Sequence, residues 1–299
     1  MQVQANGIPI EVEDSGGTGP AVLLVMGLGM QLIAWPDTLV RELAQAGYRV
    51  IRHDNRDVGL SRIFGDARMP NLVWAMLCQR LGLRVRAPYL LDDMAQDALG
   101  VLDALGVPQA HVVGVSMGGM IAQRMALAAP QRLLSLTSVM STSGARGLPG
   151  PTRAVARAML RRPDVDDRQA VLAHSVKFFQ LIGGPGFVVP EDELRARVGA
   201  ALSRAYHPRG VLRQLLAIMA DDTRAALLAR IATPTLVIHG REDPLVPLAG
   251  GEDTARRIAG ARLQVIDGMG HDLPAALVPR LLPLLLAHFE GHSRSSPAA

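Results

Sequence analysis

Short runs of consecutive apolar residues, separated by longer segments of helical periodicity, are the feature that most restricts how this chain can fold. Three such runs lie at residues 21–26, 48–51 and 111–115. A strand that is apolar on both faces is typical of a sheet covered by helices on each side. Strands that alternate with helices pair in parallel through right-handed crossovers. The pattern therefore predicts an α/β fold with a mostly parallel, doubly wound sheet.

The remaining elements extend this pattern in both directions. At the N-terminus, residues 3–12 alternate apolar and polar side chains around Asn6-Gly7, a pair suited to the positive φ angles of a two-residue hairpin turn. Pro9 places its strand at or near an edge of the sheet. The pattern further predicts helices at 35–46, 91–105 and 117–129 and strands at 133–140, 234–240 and 262–267.

One long segment interrupts the alternation of strands and helices. Residues 143–232 show helical patterns broken by prolines and glycines, and no pattern of a buried strand. We interpret this segment as a helical cap inserted into the core, over the active site. The expected organisation is a first core part at 1–142, the cap at 143–232, a second core part at 233–290 and a disordered tail at 291–299.

Composition excludes several classes of function. The net charge is +4 and aromatic residues make up 3%, with the arginines spread along the chain, so we expect no nucleic-acid binding. Cys78 is the only cysteine, which excludes an intrachain disulfide and a cysteine-based metal site. The N-terminus lacks the pattern of a secretory signal, and the longest apolar runs are too short to span a membrane. We therefore expect a cytoplasmic protein; the sequence does not indicate its oligomeric state.

The strongest chemical motif is the run His111-Val-Val-Gly-Val-Ser-Met-Gly-Gly119, in which a predicted strand leads into a predicted helix. Glycines two residues before and two after Ser116 let strand and helix approach closely around a strained turn. We therefore predict Ser116 as a nucleophile. The alternatives are a small residue in a tight turn and a phosphate-binding loop, but the motif lacks the lysine of a P-loop and the spacing of a dinucleotide fingerprint.

A serine nucleophile needs a base held by a third group, and the sequence offers one good candidate. His271 lies in Gly268-Met-Gly-His-Asp272, on a glycine-flanked loop after a predicted strand, at the sheet edge where active sites of open α/β sheets form. His53 and His239 are rivals that could equally be structural. His111 begins its strand at the opposite edge from Ser116 and is a poor candidate.

The acid of a triad should follow another strand on the same edge. Asp243 lies just after a predicted buried strand, with Pro244 in the following turn. It would orient the His271 imidazole and stabilise its protonated form. Two alternatives stay open: the neighbouring Glu242 is the acid, or Asp243 only caps a turn, as aspartate before proline often does.

Two backbone N–H groups are candidates for stabilising an oxyanion. The start of the helix after Ser116 aims the Met117 N–H at the place where negative charge develops. The second donor is expected in the loop after an early strand, where Gly27 and Gly29 would let the Leu28 N–H face the substrate carbonyl. A flexible turn at the end of that strand is the alternative interpretation.

With these residues in place, the chain resembles the α/β-hydrolase superfamily over nearly its whole length. The run His53-Asp-Asn-Arg-Asp-Val-Gly-Leu-Ser61 is similar to a motif of the superfamily, with Asp57 where glycine is usual. This variant, together with Met26-Gly27 in place of the common His-Gly, is similar to a branch of esterases that includes aclacinomycin methylesterase. The resemblance implies ester hydrolysis, a carboxylesterase activity on a small-molecule ester, without metal or organic cofactor.

Other activities on the same fold remain as alternatives. Perhydrolases or haloperoxidases, thioesterases, lactonases and carbon–carbon bond hydrolases keep the serine, and a ligand-sensing protein is a non-enzymatic alternative. The predicted cap is rich in large apolar residues, which form either an apolar substrate pocket or the cap's own core: Leu148, Met159, Leu160, Phe178, Phe179, Leu181, Phe187, Leu215, Leu216 and Met219. We expect a small to medium, apolar substrate.

Overall fold

The computed structural model describes residues 1–161 and 163–292, and an eight-stranded sheet forms its centre. The strands follow the order β1-β2-β4-β3-β5-β6-β7-β8 across the sheet. Their bounds are β1 Gln2–Ala5, β2 Ile8–Asp14, β3 Ala21–Val25, β4 Arg49–His53, β5 Ala110–Val115, β6 Leu133–Val139, β7 Thr235–Gly240 and β8 Arg262–Ile266. From β4 to β8 every neighbouring pair is parallel, which confirms the predicted fold class.

Helices cover both faces of this sheet. Their bounds are α1 Asp37–Gln45, α2 Leu72–Leu81, α3 Leu91–Ala104, α4 Met117–Ala128, α5 Arg153–Leu160, α6 Arg168–Ile182, α7 Glu191–Arg204, α8 Pro208–Ala220, α9 Arg224–Leu227, α10 Ala249–Arg257 and α11 Val278–Glu290. Helices α3 and α4 contribute apolar side chains to the cluster on one face, and α1 and α11 to the cluster on the other. The central strands are buried on both sides, as their unbroken apolar runs predict.

The N-terminal hairpin forms where the sequence predicts it. Strands β1 and β2 pair antiparallel, and the turn residues Asn6 and Gly7 have φ angles of 50° and 75°. These are the positive angles of the two-residue turn that an Asn-Gly pair favours. Pro9 lies in β2, which is next to the edge strand β1.

Helices α5 to α9 fill the chain between β6 and β7. Within the described part of that segment, which omits residue 162, no strand interrupts them. Helix α2 is an element that the sequence analysis left unassigned. It packs against α8 through an apolar cluster that includes Ala75, Cys78, Leu216 and Met219. Three of the large apolar residues of the predicted cap, Leu215, Leu216 and Met219, thus pack in this cluster.

Two further expectations concern the C-terminal tail and membrane-spanning segments. Of the tail predicted at 291–299, residues 293–299 lie outside the described residues. Within the ranges that are described, each helix falls short of the length and apolar character that crossing a bilayer requires.

Candidate active site

Ser116 occupies a sharp turn between β5 and α4. Its backbone has a φ of 54° and a ψ of −119°, a region that residues other than glycine seldom adopt. A Cβ atom on Gly118 would lie 2.0 Å from the Val25 carbonyl oxygen, and one on Gly114 would lie 2.2 Å from the Gly118 carbonyl oxygen. Glycine at both positions is therefore what allows the strand and the helix to meet around Ser116.

The structure brings His271 to this hydroxyl. The Nε2 atom of His271 lies 3.0 Å from Ser116 Oγ, a hydrogen-bonding distance. The His271 side chain is almost buried, and its backbone N–H donates to the Ile182 carbonyl oxygen at 2.7 Å. The loop reaches this position because Gly270 packs against the backbone of Gly184, where a Cβ atom would lie 2.3 Å from the Gly184 nitrogen.

Asp243 completes the arrangement from the end of β7. Its Oδ2 atom lies 2.7 Å from the Nδ1 atom of His271, and its side chain is fully buried. Its Oδ1 atom accepts hydrogen bonds from the N–H groups of Leu245 and Val246 at 2.9 and 2.8 Å. The carboxylate thus does two things that the sequence presented as alternatives, since it contacts the imidazole and also caps a turn.

The rival residues lie elsewhere or are otherwise engaged. His239 is buried beside Asp243, at 3.6 Å, but its Nε2 atom contacts the Val246 carbonyl oxygen, and burial lowers its pKa. Burial also lowers the pKa of His53 to about 4. His111 lies near the start of β5, and its Nδ1 atom is 2.8 Å from Ser135 Oγ in β6. Glu242 accepts a hydrogen bond from the Gly268 N–H.

Both predicted oxyanion donors belong to segments that meet at Ser116. Met117 is the first residue of α4, and Leu28 lies in the loop after β3. A Cβ atom on Gly27 would lie 3.1 Å from the Ser116 Cβ, so the loop backbone runs directly beside the nucleophile position. Within the described residues, neither the Leu28 nor the Met117 N–H has a hydrogen-bond acceptor. These two donors are available to a ligand.

Side chains from distant parts of the chain hold the loop that carries Leu28, a contribution that the sequence analysis missed. Asn55 donates from Nδ2 to the Met26 carbonyl oxygen at 2.9 Å. Gln214, on α8, accepts from the Gly29 N–H at 2.8 Å and donates to the Arg56 carbonyl oxygen at 2.8 Å. These contacts hold the backbone of the loop on both sides of Leu28.

Helix α8 is itself fixed to the core by a buried ion pair. Arg213 donates to both carboxylate oxygens of Asp57, each at 2.7 Å. Tyr89 donates its hydroxyl to the same carboxylate at 2.7 Å. Asp57 has a φ of 69°, which explains why glycine is common at this position of the motif and why aspartate, which tolerates the left-handed region, can replace it.

Ser116 and His271 open onto a large cavity of about 670 Å³. Its wall is mostly apolar and includes four of the apolar residues predicted for the cap: Met159, Phe178, Phe179 and Phe187. Among the few polar groups of the wall are Arg197 and Asp272, and burial raises the pKa of Asp272 to about 6. The cavity is large and apolar enough to hold a bulky apolar group.

The site consists of side chains suited to acid–base and nucleophilic chemistry. Among residues 1–161 and 163–292, no group of three or more His, Cys, Asp or Glu side chains is arranged to hold a metal ion. The hydrogen-bonded chain from Asp243 through His271 to Ser116 is an arrangement that can activate a hydroxyl for attack on a carbonyl carbon.

Two curated relatives match the chain over most of its length. Rhodomycin D methylesterase DauP of Streptomyces sp. (strain C5) is 35% identical over 286 residues, which cover 89% of this chain and 90% of the relative. Rhodomycin D methylesterase DnrP of Streptomyces peucetius is 33% identical, with the same shares covered. The predicted resemblance to a methylesterase branch is confirmed, and both relatives support the prediction of a hydrolase that acts on ester bonds.

Solved structures and a family model agree on the fold. The meta-cleavage product hydrolase CumD of Pseudomonas fluorescens IP01 superposes with a TM-score of 0.75 at 20% identity, covering 97% of both chains. The esterase EaEST of Exiguobacterium antarcticum gives a TM-score of 0.73 at 22% identity, covering 97% of this chain and 98% of the esterase. The model of the alpha/beta hydrolase fold matches residues 20–274. This chain belongs to the α/β-hydrolase family.

Proposed function

We propose that this protein hydrolyses a carboxylic ester of a bulky apolar acid, with Ser116 as nucleophile, His271 as general base and Asp243 as the acid that orients it. The observation that carries the proposal is the position of His271, whose two ring nitrogens lie 3.0 Å from Ser116 Oγ and 2.7 Å from Asp243 Oδ2 at the wall of an apolar cavity. This is the geometry that a serine needs to become a nucleophile at neutral pH.

In the first half of the reaction, Ser116 Oγ attacks the ester carbonyl carbon while His271 Nε2 takes the hydroxyl proton. The carbonyl oxygen gains the negative charge and accepts hydrogen bonds from the N–H groups of Leu28 and Met117. Asp243, with a buried carboxylate, stabilises the imidazolium that forms. The imidazolium then protonates the departing alkoxide, which leaves as an alcohol and leaves the acyl group on Ser116.

In the second half, a water molecule repeats the sequence on the acyl-enzyme. His271 takes a proton from the water as its oxygen attacks the acyl carbon, and the same two N–H groups hold the oxyanion. Collapse of this intermediate returns the proton to Ser116 Oγ and releases the carboxylic acid. Every proton and electron pair is accounted for by the ester, the water and these side chains, without a cofactor.

The shape of the cavity supports an ester with a large apolar acyl part. A volume of about 670 Å³ is enough for a ligand of drug size, and the wall around it is built largely from methionine, phenylalanine and aliphatic side chains. The two curated relatives are named as methylesterases, which supports methanol as the alcohol part of the substrate. We therefore propose a methyl or other small alkyl ester as the substrate class.

A series of p-nitrophenyl and methyl esters of increasing acyl size tests this proposal. We expect hydrolysis by the parent protein that rises with apolar acyl size, and its loss in Ser116→Ala. Ser203→Ala, which removes an exposed hydroxyl on α7, is the matched control and should keep full activity. Activity that persists in Ser116→Ala, or a parent protein inactive on every ester while it cleaves a thioester or lactone, would contradict the proposal.

A further inference from the structure

Helix α2 exposes large apolar side chains, which a surface helix usually buries. Val73, Trp74 and Leu81 are 70%, 61% and 62% exposed, and Met76 and Leu77 are exposed beside them. Only the opposite side, with Ala75 and Cys78, packs against α8. A surface helix normally turns polar residues outward, so a helix that is apolar on both sides requires a partner on its outer side.

The stretch of chain that carries this face has arginines as its only charged residues. Between residues 67 and 91 the chain has four arginines and no aspartate or glutamate: Arg68, Arg80, Arg84 and Arg86. All four are exposed, and none of their side chains forms an ion pair or hydrogen bond with another described residue. The underlying helix α8 has no acidic residue either. We call the exposed apolar side chains of α2 together with these four arginines the α2 patch.

We propose that the α2 patch docks the protein on an anionic lipid surface. Apolar side chains that enter the interface and cationic side chains that remain at the headgroup level are the two signals that together hold a helix on a membrane. Trp74 is suited to this depth, because its ring is apolar and its indole N–H is polar. The helix lies in the plane of the interface; it is much too short to cross the bilayer.

Two other partners could cover the apolar face of α2: a second copy of the chain, or the residues outside the described ranges. In a symmetric pair of chains, the four arginines of one copy would face those of the other, and this repulsion opposes association. The residues outside the described ranges, Arg162 and 293–299, include no large apolar side chain that could cover the face. An anionic lipid surface fits both parts of the α2 patch, because its headgroups attract the arginines and its acyl chains accept the apolar side chains.

Docking here would bring the lipid surface close to the candidate active site. A second cavity of about 280 Å³ is lined by Gln79 and Leu83, next to the α2 patch, and shares Met120 and Ile218 with the wall of the large cavity. If the proposed ester hydrolysis holds, an apolar ester dissolved in the bilayer would be concentrated near Ser116. The docking itself is independent of that function, because it is measured without any substrate.

Sedimentation with lipid vesicles tests the proposal on the full chain. We expect binding to phosphatidylcholine vesicles that contain about a third phosphatidylglycerol, weak binding to phosphatidylcholine alone, and release in about 1 M NaCl, where the screening length falls to about 3 Å. Removing two arginines with Arg80→Gln/Arg84→Gln should lower the partition coefficient about 25-fold, since each charge contributes about fivefold. Arg230→Gln/Arg280→Gln, which removes two exposed arginines elsewhere, should change it little.

Tryptophan emission shows whether the α2 patch is the part that touches the lipid. The chain has two tryptophans, and Trp35 is already buried, so a shift to shorter wavelength on adding anionic vesicles must come from Trp74. Trp74→Phe should abolish the shift, with an unchanged melting temperature as the check on folding. Equal binding to neutral and anionic vesicles, no binding to either, or a dimer in light scattering that Leu77→Glu dissociates would each overturn the proposal.

Discussion

The two segments that meet at the candidate active site are held in different ways. The turn at Ser116 is held locally, by glycines within two residues of the serine and by close backbone contact with β3. The loop that carries Leu28 is held from a distance, by Asn55 and by Gln214, which lies 185 residues from its partner Gly29. One half of the site is thus specified by a short motif, and the other half depends on how the inserted helices dock.

The largest effect should come from the locally held half. Gly118→Ala would place a Cβ atom 2.0 Å from the Val25 carbonyl oxygen, so the strand and helix must separate. We expect a loss of about 4 kcal/mol or more in the free energy of unfolding, seen in urea titration or as insoluble protein. Gly199→Ala is the control, since a Cβ atom there meets nothing within 4 Å and should stabilise α7 by about 0.5 kcal/mol. Similar behaviour of the two variants would contradict the steric account.

The anchor of α8 should give the next largest effect. Asp57→Asn keeps a side chain that tolerates the positive φ angle but leaves the Arg213 guanidinium buried without a counter-charge. We expect the free energy of unfolding to fall by about 3 kcal/mol. Arg209→Gln, which removes an exposed arginine of the same helix, should change it by less than about 0.5 kcal/mol. An Asp57→Asn variant as stable as the parent would show that α8 docks without this ion pair.

The loop that carries His271 should make the free energy of unfolding depend on pH. Burial raises the pKa of the neighbouring Asp272 from 3.8 to about 6. Between these values the folded chain keeps a proton that the unfolded chain has released, so the free energy of unfolding falls as pH rises through this window. Asp272→Asn cannot ionise, and we expect it to gain up to about 2 kcal/mol over the parent between pH 4 and 7.

Thermal or urea unfolding across this pH range measures the difference between Asp272→Asn and the parent. The exposed Asp222→Asn provides the matched control, and its stability relative to the parent should stay nearly constant with pH. A constant difference for Asp272→Asn as well would show that the carboxyl is not desolvated in the folded protein.

The smallest effect should come from the loop that carries Leu28, and it should appear in catalysis. Gln214→Ala removes the acceptor of the Gly29 N–H, which loosens the loop that presents the Leu28 N–H. On the proposed mechanism, kcat should fall about tenfold, corresponding to about 1.4 kcal/mol in the barrier, with little change in KM. Gln169→Ala, on the exposed side of α6, should leave both constants unchanged. A rise in KM alone would place Gln214 in substrate binding instead.

Most of the fold could be predicted from the sequence because its signals are local. Apolar runs locate the parallel strands, and the Asn6-Gly7 pair locates the hairpin. Ser116, with its flanking glycines, could be identified for the same reason. Helix α2 could not, because its apolar residues face outward as well as inward and give no clear amphipathic period. Gln214 could not either, because its role arises only when α8 packs against the loop after β3.

Labelling with a fluorophosphonate tests the central claim most directly, because such a reagent reacts only with a serine that a neighbouring base activates. We predict one phosphonate group per chain, found by mass spectrometry on the peptide that contains Ser116, with none in Ser116→Ala and a much slower reaction in His271→Gln. Labelling at another serine, or an active enzyme that takes up no label, would contradict the account of Ser116, His271 and Asp243 as the reacting unit.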